Sequence, residues 1–164
     1  MKLITTNLIA MAMLCLCASC STDEINEIDN SANLENTLSV ENIDTFSSEV
    51  LLLINAHRAT LDLPALLTHR EAKNEALDHT AYMIQRNRIS HDNFSDRSDY
   101  LKANGAQVVS ENVAFGFRTA QDVVQGWLDS PDHRTAIEGN FTHSGVSVAR
   151  NENGIHYFTQ IFVR

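Results

Sequence analysis

Three residues at separate places in the chain have side chains suited to chemistry. His91 lies in a polar run, Glu111 opens an apolar stretch, and His133 lies near a helix start marked by proline. Imidazole nitrogen and carboxylate oxygen are ligands of Zn²⁺, and three protein ligands leave an open position for water. Without a metal, a His–Glu pair could move protons as a general acid or base. The alternative is that both histidines are structural and hydrogen-bond to Glu111 or to backbone.

The elements that must position these residues begin with two helices. Apolar residues at helical spacing predict a first helix that starts near Phe46, is capped by Ser47 or Ser48, and ends before Pro64. Residues 68–71 are typical of a capping box, and they precede about five turns with a continuous apolar face.

The second half of the domain alternates strands and helices. This order of strands and helices is typical of the α+β class. It predicts an α-β-α sandwich, in which an antiparallel sheet is covered by helices on both faces. The signals are a short helix around 99–102 closed by Asn104-Gly105, a strand over 108–114, a helix capped by Thr119, a helix started by Ser130-Pro131, and a hairpin of strands 143–150 and 155–163.

Charge and length limit the function classes. The chain has 164 residues and a formal net charge of −9, and residues 21–46 contain seven acidic side chains without any Lys or Arg. No basic stripe of the kind that binds nucleic acid is present, so we expect no nucleic-acid partner. Length allows one ordinary domain with a tail, and nothing indicates more than a monomer.

The N-terminus is typical of an export signal. Residues 1–19 predict a signal peptide, with Lys2 followed by an apolar run too short to be a good membrane span. Residues 16–20 resemble a bacterial lipobox, which predicts lipidation of Cys20, although Cys17 stands where an aliphatic residue is more usual. A plain secretory signal and an uncleaved apolar anchor are the alternatives.

Three segments follow from these signals. Residues 1–19 are the signal peptide, residues 20–46 an acidic disordered tether, and residues 47–164 the folded domain. All three cysteines lie at or before Cys20, so the domain has no disulfide. The predicted location is the cell envelope, on the outer-membrane surface or facing the periplasm, with the membrane contacted through the lipidated cysteine.

Several short motifs occur together and in order in the domain. They are Asn55-Ala56-His57-Arg58, Ser90-His91-Asp92-Asn93-Phe94, Glu111-Asn112-Val113-Ala114, residues 127–134 from Trp127 to Arg134, Gly145-Val146 and residues 157–162. As a set, the motifs resemble the CAP superfamily of cysteine-rich secretory, antigen 5 and pathogenesis-related proteins, and most closely its bacterial SCP-like branch. The resemblance implies the CAP fold, with a broad cleft lined by two histidines and two acids.

Carried over residue by residue, the resemblance places His91, Glu111 and His133 in this cleft. The fourth family position, usually a glutamate, falls on Ser130, which cannot supply a carboxylate. Asp129 or Asp132 could substitute from a neighbouring position. We interpret the other domain histidines, His57, His69, His79, His143 and His156, as partly exposed or core-edge residues, Trp127 as core, and Asn55 and Arg58 as braces of the fold, with Arg58 paired to a buried acid.

Two functions therefore remain open. The first is a ligand-binding module whose His/Glu-lined cleft takes an extracellular lipid, glycan or protein, with Zn²⁺ or another divalent metal as a possible cofactor. The second is a hydrolase in which His91, Glu111 and His133 are catalytic as metal ligands or as acid/base groups. The serine at position 130 favours the first function modestly.

Overall fold

The computed structural model describes residues 44–164, so the predicted signal peptide, Cys20 and nearly all of the tether lie outside the described residues. Within 44–164, no helix has the length and apolar character needed to cross a membrane. The elements in chain order are α1 (44–59), β1 (Leu67–Thr68), α2 (Arg70–Arg86), α3 (Phe94–Ala103), β2 (Val109–Phe115), α4 (Ala120–Asp129), α5 (Pro131–Ile137), β3 (His143–Arg150) and β4 (His156–Val163).

The four strands form one sheet in the order β1-β3-β4-β2. The predicted hairpin is β3 and β4, which pair antiparallel, and β2 pairs antiparallel with the other edge of β4. The sheet is nevertheless mixed, because β1 pairs parallel with the start of β3. This strand of two residues was not predicted, since it is too short to show alternation.

Helices cover both faces of the sheet, which confirms the predicted α-β-α sandwich. Alternate residues of β4 point to opposite faces. Phe158 and Phe162 pack against α1, α4 and α5, whereas Ile161 and Val163 pack against α2 and α3. Trp127 of α4 is 1% exposed, as expected of a core residue, and its indole N–H donates to the Val113 carbonyl oxygen of β2 over 3.2 Å.

Two predicted helix caps differ from those in the structure. Helix α1 already includes residue 44, so Ser47 and Ser48 lie inside it, and the Ser48 hydroxyl donates to the Asp44 carbonyl. Helix α2 is capped by His69, one residue after the predicted Thr68, and its Nδ1 accepts a hydrogen bond from the Ala72 amide. Both differences are shifts of a helix boundary by a few residues, and boundaries are the part of a helix that sequence patterns locate least well.

The two predicted braces hold α1 to the rest of the domain. Asn55 makes two hydrogen bonds with the backbone of Leu66. Arg58 is 1% exposed and does not pair with an acid as predicted. Its guanidinium donates instead to the carbonyl oxygens of Pro64, Ile137, Gly139 and Phe141. Burial lowers the pKa of this guanidinium.

Candidate functional site

Strand β2 sends neighbouring side chains to opposite faces of the sheet, and this places Glu111 and Asn112 on different sides. Glu111 has the same orientation as Val113, which packs against Met83 of α2. Asn112 has the orientation of Ala114, which packs in the cluster of α4 and α5. The side-chain amide of Asn112 donates to the carbonyl oxygen of His133 over 3.1 Å, so it fixes the start of α5 against β2.

The Glu111 carboxylate is buried, with 1% of its side chain exposed, and both of its oxygens are bonded. Arg97 donates from Nε to Oε2 and from Nη2 to Oε1, each over 2.9 Å. The Nδ1 of His91 lies 2.8 Å from Oε1. This arrangement is a bidentate Arg–carboxylate pair with a histidine added at one oxygen.

Sequence reasoning missed Arg97, which lies one turn into α3 and is 7% exposed. Its Nη1 donates to the Asp92 carbonyl oxygen over 2.8 Å, and its guanidinium lies 6.0 Å from the centre of the Phe94 ring. The sequence did contain a signal for a basic partner of Glu111. A carboxylate in an apolar strand needs a cation when it is buried, and α3 is the element between His91 and Glu111 that could supply one.

His79 is a second imidazole near Glu111, and it was wrongly predicted to be partly exposed or at the core edge. It is 2% exposed, and its Nε2 lies 2.7 Å from the Ser90 carbonyl oxygen and 3.9 Å from Glu111 Oε1. Because a carbonyl oxygen only accepts, Nε2 carries the proton. Burial lowers the pKa of His79, and the charge of Glu111 opposes that shift. His79 therefore fixes the backbone that presents His91.

The two predicted cleft histidines differ in burial. Half of the His91 side chain is exposed, at 53%, so its Nε2 side is open to a ligand. His133 lies on α5 and is half-buried. Burial lowers the pKa of His133, the charge of His91 lowers it further, and Asp132 opposes both effects. We call the predicted site of His91, Glu111 and His133 the cleft.

Asp129 and Asp132 lie near the fourth family position, Ser130. Ser130 is the N-cap residue of α5, but its side chain makes no capping bond. The Asp129 carboxylate accepts a hydrogen bond from Gln125 one turn earlier in α4. Asp132 lies in the first turn of α5 and is exposed. Neither carboxylate is joined to His91 or Glu111 by a hydrogen bond.

Metal binding by His91, Glu111 and His133 can be tested against this geometry. Among residues 44–164, no group of three or more His, Cys, Asp or Glu side chains is arranged to hold a metal ion. Glu111 does not fit the role of ligand, because Arg97 bonds both of its oxygens and places a positive charge where a cation would bind. Imidazole nitrogens are the donors that remain.

The other histidines of the domain make local contacts. His57 Nε2 lies 2.9 Å from Glu138 Oε1, His143 Nδ1 lies 2.9 Å from the Thr142 hydroxyl, and His156 Nδ1 lies 3.2 Å from the Phe117 carbonyl oxygen. Together with the cap made by His69, these bonds give each of the four a structural partner outside the cleft.

A family model of the cysteine-rich secretory protein family, CAP, matches residues 51–162 of this chain. The chain belongs to the CAP family. The matched range begins in α1 and ends one residue before the last residue of β4, so it contains nearly all of the sheet and the residues His91, Glu111 and His133. The resemblance seen in the short motifs is thereby confirmed.

Bacterial relatives extend the comparison. The membrane protein YlbC of Bacillus subtilis is 30% identical over 125 residues, covering 73% of this chain and 35% of YlbC. YkwD of the same organism is 27% identical over 132 residues, covering 77% and 50%. The CAP chain thus spans half or less of the length of these curated relatives.

Solved structures share the fold. An extracellular protein of Bacillus anthracis that contains an SCP domain aligns with a TM-score of 0.65 and 29% identity, covering 74% of this chain and 41% of that one. An outer surface protein of Borrelia burgdorferi aligns with a TM-score of 0.63 and 20% identity, covering 70% and 88%. These alignments confirm a bacterial CAP fold.

Proposed function

We propose that this CAP protein is an extracellular ligand-binding module, held at the cell envelope by lipidation of Cys20, whose cleft binds its ligand through His91 and His133. The observation that carries the proposal is the state of Glu111. Its carboxylate is buried and fully engaged by Arg97 and His91, so the cleft offers a ligand imidazole groups and no free carboxylate. Imidazoles accept or donate hydrogen bonds to polar ligand groups.

A hydrolase is the second candidate, because the His91–Glu111 pair is the geometry of a general base held by a carboxylate. Two features weigh against it. Arg97 shares the carboxylate, which reduces the support Glu111 can give to a protonated His91. Among residues 44–164, no hydroxyl is hydrogen-bonded to His91, so a nucleophile would have to be water.

The envelope location is supported by relatives and by the N-terminal sequence. One structural relative is an outer surface protein, another is extracellular, and YlbC is a membrane protein. Labelling of cells with a fatty-acid analogue should mark the wild-type protein and the control variant Cys17→Ser, and should not mark Cys20→Ser. Labelling of Cys20→Ser at the wild-type level would remove the anchor from the proposal.

The cleft is tested by titration of ¹⁵N-histidine-labelled protein with three probes: dihexanoyl phosphatidylglycerol, an N-acetylglucosamine oligomer and an acidic peptide. One probe should shift the ring signals of His91 and His133 and leave those of His57 and His143 unchanged. The shift of His133 should disappear in His91→Ala, with the melting temperature of this variant retained. If any probe is turned over and this turnover requires His91, the hydrolase is favoured. Shifts confined to His57 or His143 would show that the probe binds outside the cleft.

A further inference from the structure

The charge balance around Glu111 carries a further inference about the cleft. A carboxylate with 1% of its side chain exposed must be matched by a positive charge, since an isolated buried charge is very costly. In a metal site the cation would be the metal. Here the cation is a side chain of the same protein, because Arg97 makes a bidentate contact with both carboxylate oxygens.

Arg97 is itself held so that it cannot readily leave. Its Nη1 donates to the Asp92 carbonyl oxygen, its guanidinium lies over the Phe94 ring, and only 8% of its side chain is exposed. A guanidinium is protonated at every physiological pH, so this cation is permanent. Asp92 follows His91 directly and Phe94 begins α3, and Arg97 therefore ties the His91 loop, α3 and β2 together.

We propose that Arg97 replaces a divalent metal as the cation of the cleft, so that Glu111 and His91 are organised without any metal ion. The proposal deepens the proposed binding function, because it makes ligand binding in the cleft independent of metal. It assigns Glu111 the role of a positioning residue, which orients His91 Nδ1 and leaves the opposite ring nitrogen toward solvent.

The proposal predicts that removal of Arg97 creates a metal site. In Arg97→Met, the Glu111 carboxylate loses its cation while the methionine keeps most of the packing volume, so Zn²⁺ can bind between Glu111 and His91. We expect at least tenfold tighter Zn²⁺ binding than in the wild type, measured by calorimetric titration of the full-length protein in detergent. The gain should be lost in the double variant Arg97→Met/His91→Ala.

Arg88→Met is the matched control. Arg88 is exposed and bonds to Asp92 over 2.8 Å, so its replacement removes the same charge beside the same loop without freeing Glu111. Zn²⁺ affinity should stay at the wild-type value in this variant. An equal gain in Arg88→Met and Arg97→Met would mean that general charge alone controls metal binding, and it would overturn the proposal.

The wild-type protein tests whether the cleft is organised without a metal even if Arg97→Met does not fold. A one-to-one Zn²⁺ site in the wild type that is lost in His91→Ala would overturn the proposal, whereas no His91-dependent site supports it. A melting temperature of Arg97→Met that rises with Zn²⁺, beside a wild-type value that does not, would support it independently. These measurements use Zn²⁺ alone, so their outcome is independent of the probe titrations that test the binding function.

Discussion

His79 illustrates how a residue that touches no ligand can set the properties of the cleft. Its proton on Nε2 is committed to the Ser90 carbonyl, and its ring stacks on Tyr82 with the centroids 5.9 Å apart. A second proton on this ring would add a charge in a site closed to water, beside the guanidinium of Arg97. Protonation of the buried His79 ring would therefore disturb the loop that carries His91.

The first prediction concerns pH. Burial lowers the pKa of His79, His133 and His156 in the folded protein, so below the ordinary histidine pKa of about 6.5 the unfolded chain binds more protons than the folded one. The free energy of unfolding should be constant above that pH and fall as the pH drops from 6.5 toward 5. Each histidine contributes at most about 1.4 kcal/mol per pH unit.

Urea unfolding at a series of pH values measures this slope. His79→Gln keeps a side-chain N–H for the Ser90 carbonyl and should reduce the slope between pH 6.5 and 5. His143→Gln, on β3 and therefore two strands away from Glu111 of β2, is the control and should leave the contribution of His79 intact. A slope that is unchanged in His79→Gln would show that this histidine does not exclude a proton in the folded state.

At the scale of elements, the two consecutive helices α4 and α5 start in different ways. The Thr119 hydroxyl accepts a hydrogen bond from the Asp122 amide over 3.1 Å at the start of α4. Ser130 occupies the same position in α5 but makes no such bond, and Pro131 follows it. Proline has no N–H to be capped and its φ suits a helix, so α5 depends less on a side-chain cap.

The second prediction follows from this difference. Thr119→Ala should lower the free energy of unfolding by about 1 kcal/mol, because it leaves a helix amide without its acceptor. Ser130→Ala should change it by less than about 0.5 kcal/mol. Urea unfolding of both variants tests the pair, and equal losses would contradict the assignment of the caps.

The third prediction concerns the contact between α2 and the sheet. A Cβ atom added at Gly145 of β3 would lie 2.1 Å from the Lys73 backbone nitrogen in the first turn of α2. Gly145→Ala should therefore push α2 off the sheet and cost about 3 kcal/mol or more, or prevent folding. Thermal unfolding checks this result.

Gly126 in α4 provides the matched control. An added Cβ there would meet the end of the Phe117 ring at 2.7 Å, and a side chain can move where backbone cannot. Alanine also favours a helix over glycine by about 1 kcal/mol, which offsets part of the strain. Gly126→Ala should thus lower the free energy of unfolding far less than Gly145→Ala. Comparable losses in the two variants would show that α2 can adjust.

At the scale of the whole molecule, Arg58 joins distant parts of the chain. Its guanidinium reaches backbone carbonyls after α1 and after α5 while it is 1% exposed. The fourth prediction is that Arg58→Met lowers the free energy of unfolding by about 3 kcal/mol or more, because several buried acceptors lose their donor. Arg118→Met, at an exposed site, should cost less than about 0.5 kcal/mol in the same urea experiment.

The fold could be predicted from the sequence largely because its elements are periodic. Helical spacing located the helices approximately, although α3 begins at Phe94, before the predicted 99–102, and alternation located β3 and β4. Side-chain contacts between residues far apart in the sequence leave no periodic pattern. The contact of Arg97 with Glu111 and the burial of His79 depend on how α2, α3 and β2 pack together, and a charged or polar residue on a helix is by default expected to be exposed. The sequence singled out His91 and Glu111, which the structure places 2.8 Å apart, but it did not single out the side chains that hold them.

The position of β4 in the sheet has a consequence for folding. β4 lies between β3 and β2, although it is the last of the four strands along the chain. Seven of its eight residues are buried, so neither neighbouring strand can complete its pairing until this segment is present. During synthesis, β2 and β3 therefore lack their shared partner until residues 156–163 have been made, and a chain cut before this segment should fail to form the sheet.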